Sequence, residues 1–288
     1  MENYDEIFDN GTYGSAQPRL STEEWIEMKK QERAELYAAI DDMAEKALCD
    51  KEALSTYLTL QANLGRASVN NTLLVMAQKP DATFVCDAEV WQERGRGIRK
   101  GEGKNTIKQF MQDREYTRED GSIAMGYKVV RCFDISQTYG KPVSKRAALS
   151  MPMKSKLKAL MTDAPVPVEL SDEVPQSIGA QYSPKENAIH VAKGLDGGML
   201  FYSISREMAR ADGCANTFLC DCAANIACIR FGIAPKFCDQ IPEEYANLDT
   251  QEKRTALGEI RSAAIETIGR VDRNLYAMRQ QQKNQPER

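Results

Sequence analysis

The chain has 288 residues, 42% of them apolar and 28% charged, so it can bury a sizeable core and exceeds the usual size of one domain. No apolar run reaches the roughly 20 residues of a membrane helix, and the opening "MENYDEIFDNGTYGSAQ" is acidic and polar, unlike a secretory signal. A cytoplasmic protein without a membrane partner is expected. The formal charge of −4 is uneven: the first fifty residues hold 13 acidic against 5 basic side chains, which leaves a net positive remainder and keeps a nucleic-acid surface open.

Residues 1–20 lack periodicity and read as a flexible arm. A first domain, 21–142, starts with Ser21 and Glu24 in a capping-box arrangement, and Trp25, Met28, Leu36, Ala39, Ile40, Met43 and Leu48 follow at helical spacing. The spacing predicts a second helix over about 52–64 and a third through "SVNNTLLVMAQ", which stops before Lys79-Pro80. From "ATFVCD" the pattern turns strand-like, with turn chemistry at "KGEGKN" and "EDGS" before "GYKVVRCFDISQT".

Residues 143–153, with Pro, Ser and basic residues, read as a linker. A second domain, 154–278, opens with a short helix over 154–161 and a strand at "VPVEL". The hairpin "GAQYSPKENAIHVA" follows, turning at "SPKEN" with Ile189 and Val191 on one face. Helices over about 198–211, 216–231 and 250–278 come next, then a polar tail, 279–288. The fold class is α+β: an α+β domain followed by a mostly helical one with a small β-hairpin.

The densest basic cluster is "RGRGIRKGEGKNTIK", residues 94–108, where Arg94, Arg96, Arg99, Lys100, Lys104 and Lys108 face only Glu102. Folded as a hairpin it would present a positive ridge for phosphates, with Trp91, Tyr127, Phe133 and Tyr139 near enough to stack unpaired bases at roughly 1–3 kcal/mol each. The alternative is a solvated basic surface with Trp91 buried in the core.

The ordered series "SVNNTLLVMAQKPDATFV", "VWQERGRGIRKGEG" and "KVVRCFDISQTYGKP" resembles the N-terminal single-stranded-DNA-binding domain of ArdC-like antirestriction proteins, including LtrC-like proteins of conjugative plasmids and transposons, over roughly residues 50–142. The family pattern falls on Asn70 and Asn71, Gln78, Trp91, Gly95-Arg96, Lys100-Gly101-Glu102, and Phe133-Asp134 with Gln137-Thr138. The resemblance implies non-specific binding of single-stranded DNA. Its interface would comprise Asn70, Asn71, Trp91, Arg94, Arg96, Arg99, Lys100, Lys104, Lys108 and Tyr127, with Arg96, Arg99, Lys100 and Lys104 on phosphates. Against it, Asn70 and Asn71 could serve only the backbone, and Gln137 only its own turn.

Proteins of this family commonly carry a zincin-like metallopeptidase domain next, marked by His-Glu-x-x-His: the two imidazoles share a helix face and bind zinc while the Glu activates water. The corresponding stretch is "REMAR", with Arg206, Glu207 and Arg210. A guanidinium has no lone pair to donate, so neither arginine can replace a histidine. The next helix, "CDCAANIACIRFGI", sets Cys220 and Cys222 where related sequences carry a Glu-x-Glu-Ala pattern. These five residues are vestigial metal-site positions of a pseudo-metallopeptidase expected to hold no metal and no cofactor.

Of the eight cysteines (Cys49, Cys86, Cys132, Cys214, Cys220, Cys222, Cys228, Cys238), none form a Cys-x-x-Cys pair, and reduced buried thiols are expected rather than a zinc site. His190, the single histidine, reads as a surface or edge-strand residue rather than a general base. With Asp221 on the next helix, Arg206, Glu207 and Arg210 make either a salt-bridge network or a phosphate- or partner-binding pocket. The expected function is non-enzymatic: a single-stranded-DNA-binding antirestriction or conjugation protein of a mobile element. The alternative is a direct inhibitor of a host restriction or CRISPR nuclease, acting through the altered second domain or the acidic N-terminal helix.

Overall fold

The computed structural model describes residues 21–118, 120–143, 147–214 and 216–284; the expected arm 1–20 and the last four tail residues lie outside them. Residues 1–38 and 39–288 are two compact units. Helix α1 (Thr22–Ala47) begins in the first, where the expected capping box is formed: Ser21 N–H donates to Glu24 Oε2 at 2.8 Å and Glu24 N–H to Ser21 Oγ at 3.1 Å. Trp25, Ile26 and Met28 are exposed here, and the apolar stripe is buried from Leu36 onward, at Ile40, Ala44 and Leu48.

The second unit continues with α2 (Lys51–Leu64), capped by Asp50, and α3 (Val69–Gln78), capped by Ser68. Strand β1 (Val85–Asp87) leads straight into a short helix, α4 (Ala88–Glu93), inside the stretch that reads as strand. Asp87 starts that helix by accepting the Val90 N–H, and the turn carries Trp91 into the core. Then come β2 (Arg96–Ile98), β3 (Ile107–Thr117), β4 (Ile123–Asp134) and β5 (Thr138–Gly140).

Residues 94–108 do not form a hairpin. β2 pairs antiparallel with β5, while the long hairpin is β3 with β4, bulged between Gln112 and Glu115, in a sheet of order β1-β4-β3. The cause lies in the segment between β2 and β3, which closes as a 3-10 turn, Glu102–Lys104, after the left-handed Gly101 at φ +93.

The α+β class extends through the helical half. A 3-10 turn, Ala147–Ser150, lies within the expected linker, and α5 spans Met153–Met161. β6 (Val168–Ser171), β7 (Ala180–Ser183) and β8 (Ala188–Ala192) form one sheet of order β6-β8-β7, with β6 parallel to β8. The hairpin thus gains a third strand, and His190 stands on the central strand rather than on an edge. Helices α6 (Gly197–Ala211), α7 (Thr217–Arg230), α8 (Glu243–Ala246) and α9 (Thr250–Asn284) complete the unit. α9 runs six residues beyond the expected Met278, starting through Arg279, Gln280 and Gln281, residue types that favour helix.

The core of this half joins Phe201 and Met208 of α6, Ile189 and Val191 of β8, Val271 and Leu275 of α9, and Phe231, whose ring meets Phe201 edge-on at 5.8 Å. α2 packs against α7 and α3 against α9. Among the described residues no helix is long and apolar enough to cross a membrane.

Candidate functional site

Most of the motif residues turn inward, onto backbone. Asn71 Nδ2 donates to Phe110 O at 2.8 Å and its Oδ1 accepts the Phe110 N–H at 2.8 Å; Gln78 treats Lys108 the same way, at 3.0 and 2.8 Å. Two amides on one helix therefore close the open edge of β3. Asn70, beside them, is half-buried. Gln137 accepts the Asp134 N–H and donates to Glu102 Oε2 and Asn105 O at 2.7–2.8 Å, which ties the 3-10 turn to the end of β4. Asp134 in turn accepts N–H groups of Thr83, Phe84 and Ser136. Burial pushes its carboxyl up, but these donors more than offset that and hold it below the usual carboxylate range.

Two expected interface residues are corrected by this geometry. Trp91 is fully buried, with Nε1 donating to Phe133 O at 2.9 Å and Phe84 edge-on at 5.3 Å, so no base can stack on it. Arg96 staples β2 to β5: its Nε donates to Thr138 Oγ1 at 2.8 Å, and its terminal nitrogens reach the Thr138, Gly140 and Lys141 carbonyls. Its fork is spent on the protein and is not available to a phosphate.

The remaining basic residues are outside. Arg94 is exposed with its guanidinium 4.9 Å over the Phe84 ring, Arg99 is exposed and donates to Ser136 O, and Lys100 and Lys104 are exposed around the 3-10 turn. Along the β3/β4 hairpin, side chains alternate between faces. Tyr127, Val129 and Arg131 share one face with their cross-strand partners Gln112, Phe110 and Lys108. That register unites two expected residues, Lys108 and Tyr127, with two that the sequence reading missed, Phe110 and Arg131. Tyr127 is 48% exposed. Lys108 and Arg131 stand directly opposite, a like-charged pair that destabilises a sheet. Their signal in the sequence is a period of two, legible only once the pairing register is known.

The "REMAR" segment lies on α6. Glu207 is buried; Oε1 accepts Arg206 Nε at 2.7 Å, and Oε2 accepts the Tyr182 N–H at 2.9 Å with Arg210 Nη1 3.7 Å away. Arg206 also donates to the Ile178 and Ala180 carbonyls and lies 3.9 Å from Asp221, whose Oδ1 accepts the Tyr202 hydroxyl at 2.7 Å. Arg210 reaches Thr217 Oγ1. The salt-bridge network is thus closed on itself. Burial alone would lower the Arg206 guanidinium, yet Glu207 and Asp221 raise it further.

Cys220 and Cys222 are buried, and burial pushes the Cys222 thiol well up. Cys220 donates to the Cys214 backbone carbonyl at 3.4 Å, and a side-chain hydrogen bond with Cys220 lowers the Cys214 thiol. These residues do not fit a divalent cation: both oxygens of Glu207 are taken, and two permanent cations flank it. Among the described residues no group of three or more His, Cys, Asp or Glu is gathered as metal ligands would be. His190 Nε2 pairs with Glu186 Oε2 at 2.5 Å.

No protein-family model and no curated protein sequence matches the chain. Among solved structures it is similar to the antirestriction protein ArdC from plasmid R388. The metal-free crystal structure of ArdC is 16% identical over 73% of this chain and 84% of that one, with a TM-score of 0.48. Its Mn(II)-bound crystal structure is 14% identical over 72% and 87%, with a TM-score of 0.50. The second likeness assigns the fold.

Proposed function

We propose that this chain is a sequence-independent single-stranded-DNA-binding protein of antirestriction type, carried by a mobile element, whose helical half has given up metal chemistry. The observation that carries this reading is the β3/β4 face, where Lys108 and Arg131 oppose each other beside Phe110 and Tyr127. A phosphate can bridge the two cations, and the rings offer surfaces for bases that are free to unstack. Exposed Arg94, Arg99, Lys100 and Lys104 add attraction that ignores sequence. The antirestriction role draws on the fold shared with ArdC, and coating incoming single strands against host nucleases is the activity it suggests.

Titrating labelled oligothymidylate across a salt series tests it. Affinity is expected to fall linearly with salt on logarithmic axes, to drop in Lys108→Glu/Arg131→Glu, and to weaken by about 1–3 kcal/mol in Tyr127→Ala. Binding that ignores salt, or survives those substitutions unchanged, overturns it.

A second reading, direct inhibition of a host nuclease, is favoured by one feature: Trp25, Ile26 and Met28 are exposed on a helix that opens with Glu23 and Glu24. Inhibition of a purified restriction or CRISPR nuclease by the Lys108→Glu/Arg131→Glu variant would support it over DNA coating.

A further inference from the structure

A second basic surface lies away from the hairpin face, along α9. A cleft of about 180 Å³ is walled by Arg66, Arg230 and Arg273, with Asp272 as the single acidic residue of its lining. A cleft of about 210 Å³ shares Arg230 and Asp272 with it and adds Tyr276 and Arg279. On the other side, a cleft of about 320 Å³ shares Arg66 and is bounded by Gln109 and Met111 of β3. The shared residues set the three clefts in sequence, from the face of β3 opposite Lys108 and Phe110, where Asp87 adds one acidic side chain, past the turn after α2 and along α9.

The turn that presents Arg66 is held rigidly. Gly65, at φ +66, reverses the chain after α2. Gln61 Nε2 donates to the Gly65 and Ala67 carbonyls at 3.0 and 3.2 Å, and Arg261 donates to the Arg66 and Ala67 carbonyls at 2.8 and 2.7 Å. Every carbonyl of this turn is therefore fixed by a side chain, while the Arg66 side chain itself is exposed.

On α9, Gly269, Arg273, Tyr276 and Arg279 recur at helical spacing along one face. Arg230, at the end of α7, lies 3.8 Å from Asp272. Among the described residues, none of Arg66, Arg273 and Arg279 is ion-paired with a carboxylate. Three uncompensated forks along one groove repel one another, and a run of phosphates satisfies them in bidentate fashion. Tyr276, 65% exposed, adds a stacking surface among them.

We propose that this groove carries the phosphate backbone of single-stranded nucleic acid beyond the hairpin face, so that one strand engages both halves of the chain. The inference rests on the single-strand reading above. Its test compares oligothymidylates of about 6 and about 20 nucleotides, chosen to lie within and beyond the footprint of a single binding module. In Arg66→Gln/Arg273→Gln/Arg279→Gln the long strand is expected to lose affinity at least tenfold. Its slope of log affinity against log salt should flatten by about 2, or about 0.7 for each lost contact, while the short strand binds as before.

A well-folded triple variant that binds the long strand with unchanged affinity and slope overturns the groove and leaves the hairpin reading standing. If neither strand binds the unsubstituted protein, both fall. A measurement free of substitutions runs alongside: ultraviolet cross-linking of the intact protein to a long bromodeoxyuridine strand is expected to mark Tyr276, and cross-links confined to residues 94–131 overturn the groove.

Discussion

At the scale of single residues, the motif polar groups are chiefly architectural. Asp134, buried and bonded to three backbone N–H groups, contributes stability only as a carboxylate. Because its folded pKa is depressed, that contribution is complete above the unfolded value of about 3.9 and is lost as pH falls through the lower folded value. Asp134→Asn should therefore cost about 1–3 kcal/mol at neutral pH, and urea denaturation at a series of pH values should find the gap to the parent closing in acid. Glu207→Ala strands the half-buried Arg206 without its nearest carboxylate, and a loss of about 3–5 kcal/mol in the same assay is expected.

At the scale of elements, the exposed edge of β3 depends on α3. Replacing Asn71 or Gln78 by Leu frees both backbone groups of Phe110 or of Lys108. Each change should cost about 1–2 kcal/mol, and hydrogen exchange should accelerate at that one amide more than at the amides of β4. The hairpin has a second sensitive point at Gly126, where an added Cβ would lie 2.8 Å from the Arg114 carbonyl opposite the bulge. Gly126→Ala is expected to loosen the hairpin tip and lower oligonucleotide affinity while the melting of the helical half stays put.

At the scale of the whole molecule, the expected division into 21–142 and 154–278 meets a compact unit that spans residues 39–288. α2 lies against α7, α3 against α9, and Arg261 of α9 holds the turn that follows α2. We propose the division as one of function rather than of folding. The intact chain should then melt in a single transition by calorimetry, and a fragment of residues 21–142, stripped of α7 and α9, should melt well below it. Two separate transitions in the intact chain would instead make the halves independent folding domains.

By itself the sequence determined the local plan. The cap at Ser21, the "SPKEN" turn and helical spacing depend on neighbours within a few positions, and each forms where the sequence predicts. The ion pairing at "REMAR" was legible for the same reason, since Glu207 and Arg210 lie one helical turn apart. Tertiary structure alone decided which motif residues face inward. The side-chain partners of Asn71, Trp91 and Arg96 lie 39 to 45 positions away, so nothing local distinguishes a fork that staples two strands from one that waits for a phosphate. The hairpin register likewise set Arg131 opposite Lys108, because a one-residue slip would move every side chain to the other face.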